Sequence, residues 1–310
     1  MLNVLFSTRN GGHTLGRVLD GYSRCTPPLD GWRMIVVDNG SSDSTPDLLS
    51  AWSRTLPLTV ATHQEPGKNG ALNHALSLAS GDFLVFTDDD AVPASDFLLE
   101  WDKMRRSVPE FSVFGGTIEP VFPAPLPPHL TASTHHFDVL YAQISLPSGP
   151  MSHTDVYGPN MAIRAAVFTS GLRFNEEIGP NATIHNYAMG SESELCDRLS
   201  AAGHKFWFNS GAHVSHLVRS DQMTGDFFTR RAYKHGLGVG MRHNMEHSSS
   251  SSLVRRAKSL RWAVEHMLLK LRPCPSLNEP EVLWTYQWEL GYTRSKALSD
   301  NTKTSPLISG

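Results

Sequence analysis

Phe83-Leu-Val-Phe-Thr-Asp-Asp-Asp-Ala-Val-Pro93 is the stretch that decides the fold. Four apolar residues and a threonine read as a strand that is buried on both faces, the habit of strands in parallel sheets. Three carboxylates follow directly, and they repel one another unless a cation or solvent intervenes. Alternation along an extended chain puts Asp88 and Asp90 on one side and Asp89 on the other. Two such oxygens suit Mg²⁺ or Mn²⁺, which take hard ligands and keep waters and substrate phosphates. A solvated acidic turn ahead of Pro93 has the same composition. The apolar strand in front favours the metal.

Upstream, strand and helix alternate. Asn3–Ser7 is an apolar strand, followed by a loop over Thr8–His13. Leu15, Val18, Leu19 and Tyr22 then sit at helical spacing. Met34–Val37 is a second strand, ending in Asp38. Ser41, Ser42 and Asp43 offer turn and cap chemistry ahead of a helix around Pro46–Trp52. Thr59–Thr62 predicts a third strand and Ala71–Ala79 a third helix. The βαβαβαβ order predicts an α/β fold, a mostly parallel twisted sheet flanked by helices, with a helical C-terminal tail. Ligands of such sheets bind beyond the carboxyl ends of the strands. Thr8–Asn10, Asp38–Asp43 and Asp88–Asp90 are therefore expected to line one crevice.

Downstream the pattern changes. Val121–Pro128 is proline-rich, and His135, His136 and His153 lie in a stretch of weak periodicity. Val156–Ile163, a helix near Glu192–Ala202, a strand at Lys205–Phe208 and a basic helix over Arg230–Gly240 follow. Ser248–Ser252 reads as a linker. Leu253–Arg272 combines six Lys/Arg with spaced apolar residues, as a helix lying on a membrane surface does. The same stripe would also suit packing on the rest of the chain, and Trp284, Tyr286, Trp288 and Leu290 look like core material. Three segments are expected: 1–115, 116–245 and 246–310.

The 310 residues, 40% of them hydrophobic, suffice for one large core or two fused sub-domains. With 27 Lys+Arg against 30 Asp+Glu, nothing global points to nucleic acid as a partner. Cys25, Cys196 and Cys274 are odd in number and widely spaced, so neither a disulfide framework nor a metal cluster is expected, and buried or bland thiols in a reducing compartment are. No signal peptide precedes the first strand and no apolar run is long enough to span a bilayer. The expected location is cytoplasmic, with peripheral contact at the inner face of the membrane through 253–272 as the one membrane option.

Several residues carry chemistry. Asp38 can make an Asx-turn or accept hydrogen bonds from a base or ribose; Asp43 reads as a cap. Lys68 and Asn73 lie in Glu65-Pro-Gly-Lys-Asn-Gly-Ala-Leu-Asn73, a Gly-rich approach to a helix where a lysine can neutralise phosphate. Gly190-Ser-Glu-Ser-Glu-Leu195 opens a helix. Glu194 can pair with Arg198 on the surface. Glu192 shares its side with Leu195 and Leu199 and so faces inward; the helix N-terminus favours its ionised form, as a general base requires. His213 and His216 point to opposite faces of a strand, so at most one is a metal ligand.

Taken in order, these pieces resemble glycosyltransferase family 2, inverting enzymes of the GT-A fold. The matching residues are Thr8-Arg9-Asn10, Val36-Val37-Asp38-Asn39-Gly40-Ser41-Ser42-Asp43, Gly67-Lys68 with Ala71-Leu72-Asn73, Thr87-Asp88-Asp89-Asp90-Ala91-Val92-Pro93, Gly158-Pro159-Asn160-Met161, Gly190-Ser191-Glu192-Ser193-Glu194-Leu195 and His216. They span roughly residues 1–245; residues 246–310 carry no recognised motif. The resemblance implies a nucleotide-sugar donor, a UDP-sugar first, and a glycan, lipid-linked or other hydroxyl acceptor. It gives Thr8, Arg9, Asn10, Asp38, Lys68, Asn73, Asp88 and Asp89 to the donor and Asn160 and Met161 to the acceptor. Asp88 and Asp90 are its DxD motif, completed at the metal by His216. Lys68, or one of Arg219, Arg230 and Arg231, would assist the leaving diphosphate. Glu192 falls at the catalytic base, usually the aspartate of GEDxEL. The chain departs there, with Ser191 for the first acid and glutamate for aspartate. A sugar-nucleotide nucleotidyltransferase and a non-catalytic nucleotide-sugar-binding module are the competing readings. A dinucleotide-dependent dehydrogenase is disfavoured, because no GxGxxG follows the first strand.

Overall fold

The computed structural model describes residues 1–246 and 252–298. The first seven elements alternate: β1 (Leu2–Thr8), α1 (Leu15–Ser23), β2 (Trp32–Asp38), α2 (Thr45–Trp52), β3 (Leu58–Thr62), α3 (Lys68–Leu78) and β4 (Phe83–Thr87). Then come β5 (Ala91–Pro93), α4 (Phe97–Ser107), β6 (Val113–Val121), α5 (Pro128–Thr131), α6 (Phe137–Tyr141), β7 (Gly149–Pro150), β8 (Asn160–Arg164), α7 (Ser191–Ala201) and β9 (Phe206–Leu217). The last helices are α8 (Gly225–Glu246), α9 (Ser252–Lys270) and α10 (Pro280–Leu298). Of the serine run expected as a linker, residues 248–251 lie outside the described residues, and Ser252 opens α9.

The nine strands form one sheet in the order β3-β2-β1-β4-β8-β6-β9-β5, with β7 paired to β9. The block β3-β2-β1-β4 is parallel. Beyond it the sheet is mixed: β8 runs antiparallel to both β4 and β6, β6 and β9 are parallel, and β5 is antiparallel to β9. The expected parallel pairing thus runs unbroken through the first four strands and returns between β6 and β9. The mixed half hides its strands. β6 carries Gly115, Gly116 and Pro120, residues that argue against a central strand. Gly116 is there for close approach: a Cβ on it would lie 2.4 Å from the Asn160 amide nitrogen and 2.6 Å from the Ala212 carbonyl oxygen.

Strand residues alternate between two apolar layers. Leu2, Val4, Phe6, Met34, Val36, Phe83 and Val85 face α1, α2 and α4. Leu5, Ile35, Val37, Leu84 and Phe86 face α3 and α7. Each such side chain, fully buried, stabilises the fold by roughly 1.5–3 kcal/mol relative to exposure. The layers fix the helices by their apolar faces: Leu15, Val18, Leu19 and Tyr22 of α1, and Ala71, Leu72, Ala75 and Leu76 of α3, are all buried. Helix α3 begins at Lys68, three residues before its expected start, which puts that lysine in the first turn.

The chain divides into two compact units. The first contains Met1–Ala124, Phe137–Thr183 and Ser191–Arg219, and so the whole sheet. The second contains Pro125–His136, Ile184–Gly190 and the chain from Ser220 onward. Within the second, Leu283, Trp284 and Leu290 of α10 are buried, and α10 packs on α8 and α9. Cys25 and Cys196 are buried, whereas Cys274 is exposed. No helix among the described residues is long and apolar enough to cross a membrane.

Candidate active site

The strand order runs from β1 to β2 and β3 on one side and to β4 on the other. Such a reversal opens a crevice at the carboxyl ends of the two strands. Thr8 closes β1 and stands in register with Asp38, which closes β2. Asp88, Asp89 and Asp90 follow β4 directly, and each takes a different partner. Thr8 donates its hydroxyl proton to the Asp89 carboxylate, across the gap between β1 and β4. Lys68, at the N-terminus of α3, binds Asp88. Asp90 turns inward. Its Oδ1 lies 3.4 Å from Nε2 of His216, and its Oδ2 lies 4.0 Å from the Arg219 guanidinium. The chain turns here rather than running extended, with the Ala91 amide donating to the Asp88 carbonyl at 3.2 Å, and the turn sends the three carboxylates to different partners.

The pairing of β5 with β9 builds the Asp90–His216 contact. Ala91 is in register with His216, and the Leu217 amide donates to the Asp90 carbonyl at 2.8 Å. His216 Nδ1 lies 2.6 Å from the Tyr141 carbonyl, which fixes the proton on Nδ1 and turns Nε2 toward the carboxylate. Burial opposes charge on both groups, yet each sustains the other. The Asp90 carboxylate raises the His216 pKa above its ordinary value, and the imidazolium holds Asp90 below the carboxylate range. Asp89 behaves oppositely: burial, with the adjacent Asp90, pushes its carboxyl up to about 7. Burial works against the Lys68 ammonium, and Asp88, with Glu192 and Asp90 beyond it, more than restores it.

The loops above the crevice are tied to each other. Asn10 sits in the left-handed region, with φ 54°. Its side-chain oxygen accepts from the Ser42 amide at 2.8 Å, and its own amide donates to the Ser41 hydroxyl at 2.9 Å. Arg9 donates to the Asn39 carbonyl at 2.9 Å, and Asp38 accepts from the Ser41 amide at 2.9 Å. Asp43 accepts from the amides of Thr45 and Gly12, so it caps α2 and also anchors the first loop. Asn39, to which no role was given from sequence, is the central clamp. Its amide donates to the carbonyls of His63 and Glu65, and its oxygen accepts from Gly67, next to Lys68. The signals for it were its place directly after an apolar strand and its membership of the matching 36–43 stretch.

Helix α7 supplies the last carboxylate. Glu194 is buried and accepts two bonds from Arg198, at 2.8 and 2.7 Å. The pairing agrees with the i,i+4 spacing, with the carboxylate buried and the Arg198 guanidinium still partly exposed to solvent. Glu192 lies in a recess with Lys68, Thr87, Asp88, Gly158 and Met161. Ser191, where the family pattern has an acid, is buried. A Cβ on Gly179, which has φ 99°, would come within 2.1 Å of the Ser191 hydroxyl, so this corner is filled by a small residue.

Three of the expected ligands also have internal partners. Asn73 donates to the Phe174 carbonyl and the Glu176 carboxylate and accepts from the Phe174 amide, so it holds the 174–176 loop. Asn160 is fully buried and donates to the carbonyls of Thr117 and Ala212, so it joins strands. Asp88, Asp90 and His216 do not bring three ligand atoms within 4.8 Å of one another. Asp88 is engaged with Lys68. Asp90 and His216 do fit a divalent cation, because the buried Asp90 Oδ1 has no hydrogen-bond partner and faces an imidazole nitrogen.

Comparison with known proteins gives this geometry a setting. Residues 4–105 match the glycosyl transferase family 2 profile. Over 103 residues the chain is 26% identical to a poly(ribitol-phosphate) beta-glucosyltransferase of Bacillus spizizenii, covering 32% of this chain and 16% of that protein. The matched stretches span between 16 and 40% of the length of the curated relatives. The structure of S. aureus TarS 1-349 in complex with UDP superposes with a TM-score of 0.54 at 14% identity, covering 97% of this chain and 92% of that one. Mannosyltransferase PcManGT from Pyrobaculum calidifontis, in complex with GDP-Man and Mn²⁺, superposes with a TM-score of 0.54 at 19% identity, covering 98% and 76%. The shared fold is the GT-A type.

Proposed function

The chain carries a glycosyl transferase family 2 domain over residues 4–105, and from that premise we propose that it moves a sugar from a nucleoside-diphosphate sugar, a UDP-sugar first, to a hydroxyl of its acceptor with inversion. One observation carries the reading: Glu192, Lys68 and Asp88 share a recess at the strand end where Asp90 and His216 also meet.

In this reading residues 1–115 hold the donor, with Thr8, Arg9, Asn10, Asp38 and Asp89 around the nucleoside. Residues 116–245 supply the acceptor side, with Met161 in the recess. Loss of the diphosphate develops negative charge. A divalent cation, Mg²⁺ or Mn²⁺, held by Asp90 and His216 would supply a Lewis acid for that charge. Lys68 and Arg219 add fixed positive charge nearby. Glu192 takes the proton from the acceptor hydroxyl, which attacks the anomeric carbon from the face opposite the leaving group. Its freedom for this role contrasts with Glu194, whose oxygens are already bound by Arg198. A single displacement inverts the configuration and needs no enzyme nucleophile.

A specific observation favours an acceptor at a membrane surface, such as a lipid-linked one. In α9, Leu260, Val264, Met267 and Leu268 are exposed at helical spacing, and Leu271 continues the row. The opposite face packs on α10: His266 meets Thr293 at 3.0 Å and Ser259 donates to the Ala297 carbonyl at 2.6 Å. Exposed Lys258, Arg261, Lys270 and Arg272 flank the apolar row. An apolar stripe rimmed by cations suits an anionic lipid surface.

The function is tested by incubating the protein with nucleotide sugars and an acceptor panel and measuring nucleoside diphosphate release. Release supports transfer. Pyrophosphate release from a sugar phosphate and a nucleoside triphosphate would instead identify a nucleotidyltransferase, and donor binding without turnover a binding module.

A further inference from the structure

A second cluster of metal-ligating side chains lies within the C-terminal unit, and the transfer reaction uses none of it. The chain turns through a 3₁₀ helix at Thr134–His136, and Glu281 sits in the first turn of α10. His135 Nε2 lies 2.8 Å and His136 Nε2 3.2 Å from one and the same oxygen, Oε2 of Glu281. Among the described residues this is the one group of three such ligand atoms lying within 4.8 Å of one another.

We propose that His135, His136 and Glu281 form a site for a borderline first-row divalent cation, Zn²⁺ foremost, which clips the 133–136 turn to the start of α10. Two imidazole nitrogens converge on a single carboxylate oxygen although the rings come from adjacent residues. Their ring centres are only 4.1 Å apart, so both reach the same side of the turn. Two imidazolium ions so close would repel; one cation between two neutral rings and a carboxylate would not. The ligands are also held from behind, as metal ligands are. The His136 ring stacks on Trp284 at 4.1 Å with an interplanar angle of 15°, and Trp284 is buried. The Ser133 hydroxyl donates to Oε1 of Glu281 at 3.1 Å, which leaves Oε2 for the histidines.

The donor set selects the ion. Two imidazoles and one carboxylate suit Zn²⁺ and its neighbours, whereas Mg²⁺ and Ca²⁺ prefer all-oxygen shells. Three protein ligands leave a fourth position of a tetrahedron for water. His135 and Glu281 are exposed, so the ion has a way in. The clip joins residues far apart in sequence, and binding only the folded form would stabilise it by mass action.

The test uses the full chain without an affinity tag, stripped by chelator, with Zn²⁺ itself as the probe. Calorimetric titration and metal analysis after gel filtration count the bound ions, and Co²⁺ serves as a spectroscopic substitute. Because Asp90 and His216 also suit a divalent ion, the readout is the difference from wild type. His135→Ala, Glu281→Gln and His136→Phe, the last keeping a ring on Trp284, are each expected to bind one equivalent fewer and to lose the Zn²⁺-dependent rise in Tm. Ser133→Ala is expected to keep the equivalent with affinity lowered about tenfold. Excess Mg²⁺ should not displace the ion. Equal Zn²⁺ stoichiometry and an equal Tm rise in wild type and in all three ligand variants would overturn the proposal and leave these groups as ion pairs.

Discussion

Asp90 and His216 meet because β5 and β9 are paired in one register. Ala91 stands opposite His216, and the two side chains then face each other at 3.4 Å on a buried spot. One carboxylate oxygen there has no hydrogen-bond partner. Asp90→Asn is expected to fold normally and to lose metal-dependent transfer by about a hundredfold or more. The amide keeps the shape but offers a cation far less. Circular dichroism with a turnover assay checks this. Full activity in wild type with chelator present would remove the cation from the account.

Glu192 and Glu194 separate chemistry from structure. Glu192→Gln is expected to bind donor as wild type does and to slow transfer by about 10²–10⁴. Glu194→Gln should instead cost about 1 kcal/mol of stability by weakening the part-buried bonds to Arg198, with turnover per folded molecule retained. Denaturant unfolding and single-turnover kinetics on both variants decide it. The reverse pattern would hand the base role to Glu194.

Asp89 sets a pH dependence. Its carboxyl is pushed up to about 7 in the folded chain, by burial and by Asp90, whereas an unfolded aspartate titrates near about 3.9. Between those values the folded state holds a proton the unfolded state has released. The contribution is therefore full at acid pH and is lost as pH rises through about 7. Asp89→Asn mimics the protonated form. Without divalent ions it is expected to be more stable than wild type at pH 8 and nearly equal to it at pH 4. Urea midpoints at both values test this, and a pH-independent difference would contradict it.

Helix α9 makes the localisation testable. Co-sedimentation is expected with anionic but not neutral vesicles, weakening as salt is raised. Leu268→Glu with Leu271→Glu, placed in the exposed row, should abolish it without changing Tm. Binding that ignores lipid charge would leave this stripe without the lipid role.

Much of this site was legible in the sequence, and the reasons are local. β1, β2 and β4 are apolar runs that end in polar residues, so both the strands and the crevice at their ends can be read directly. The division of Asp88, Asp89 and Asp90 among partners was expected from an extended chain, but it is made by a turn that the Ala91 amide closes on the Asp88 carbonyl. The rest depended on contacts between distant residues. β9 runs through Asn209-Ser210-Gly211, which reads as a turn, so its length was hidden, and His216 was joined to Asp90 only through the family resemblance. Its pairing with β6 shifts register between Gly116 and Thr117 for the same reason. Asn73 and Asn160 show a second limit: the bonds by which each amide clamps distant backbone cannot be read from its local sequence. Asn39 is another such clamp, given no role from sequence.

The most direct test of the central claim is calorimetric titration of UDP and GDP into the purified protein, with Mn²⁺ and then with chelator, for wild type and Asp90→Asn. The account predicts that wild type binds one nucleoside diphosphate in Mn²⁺, that chelator weakens binding at least about tenfold, and that Asp90→Asn removes the metal dependence. Absence of binding by either nucleotide under all these conditions would contradict it.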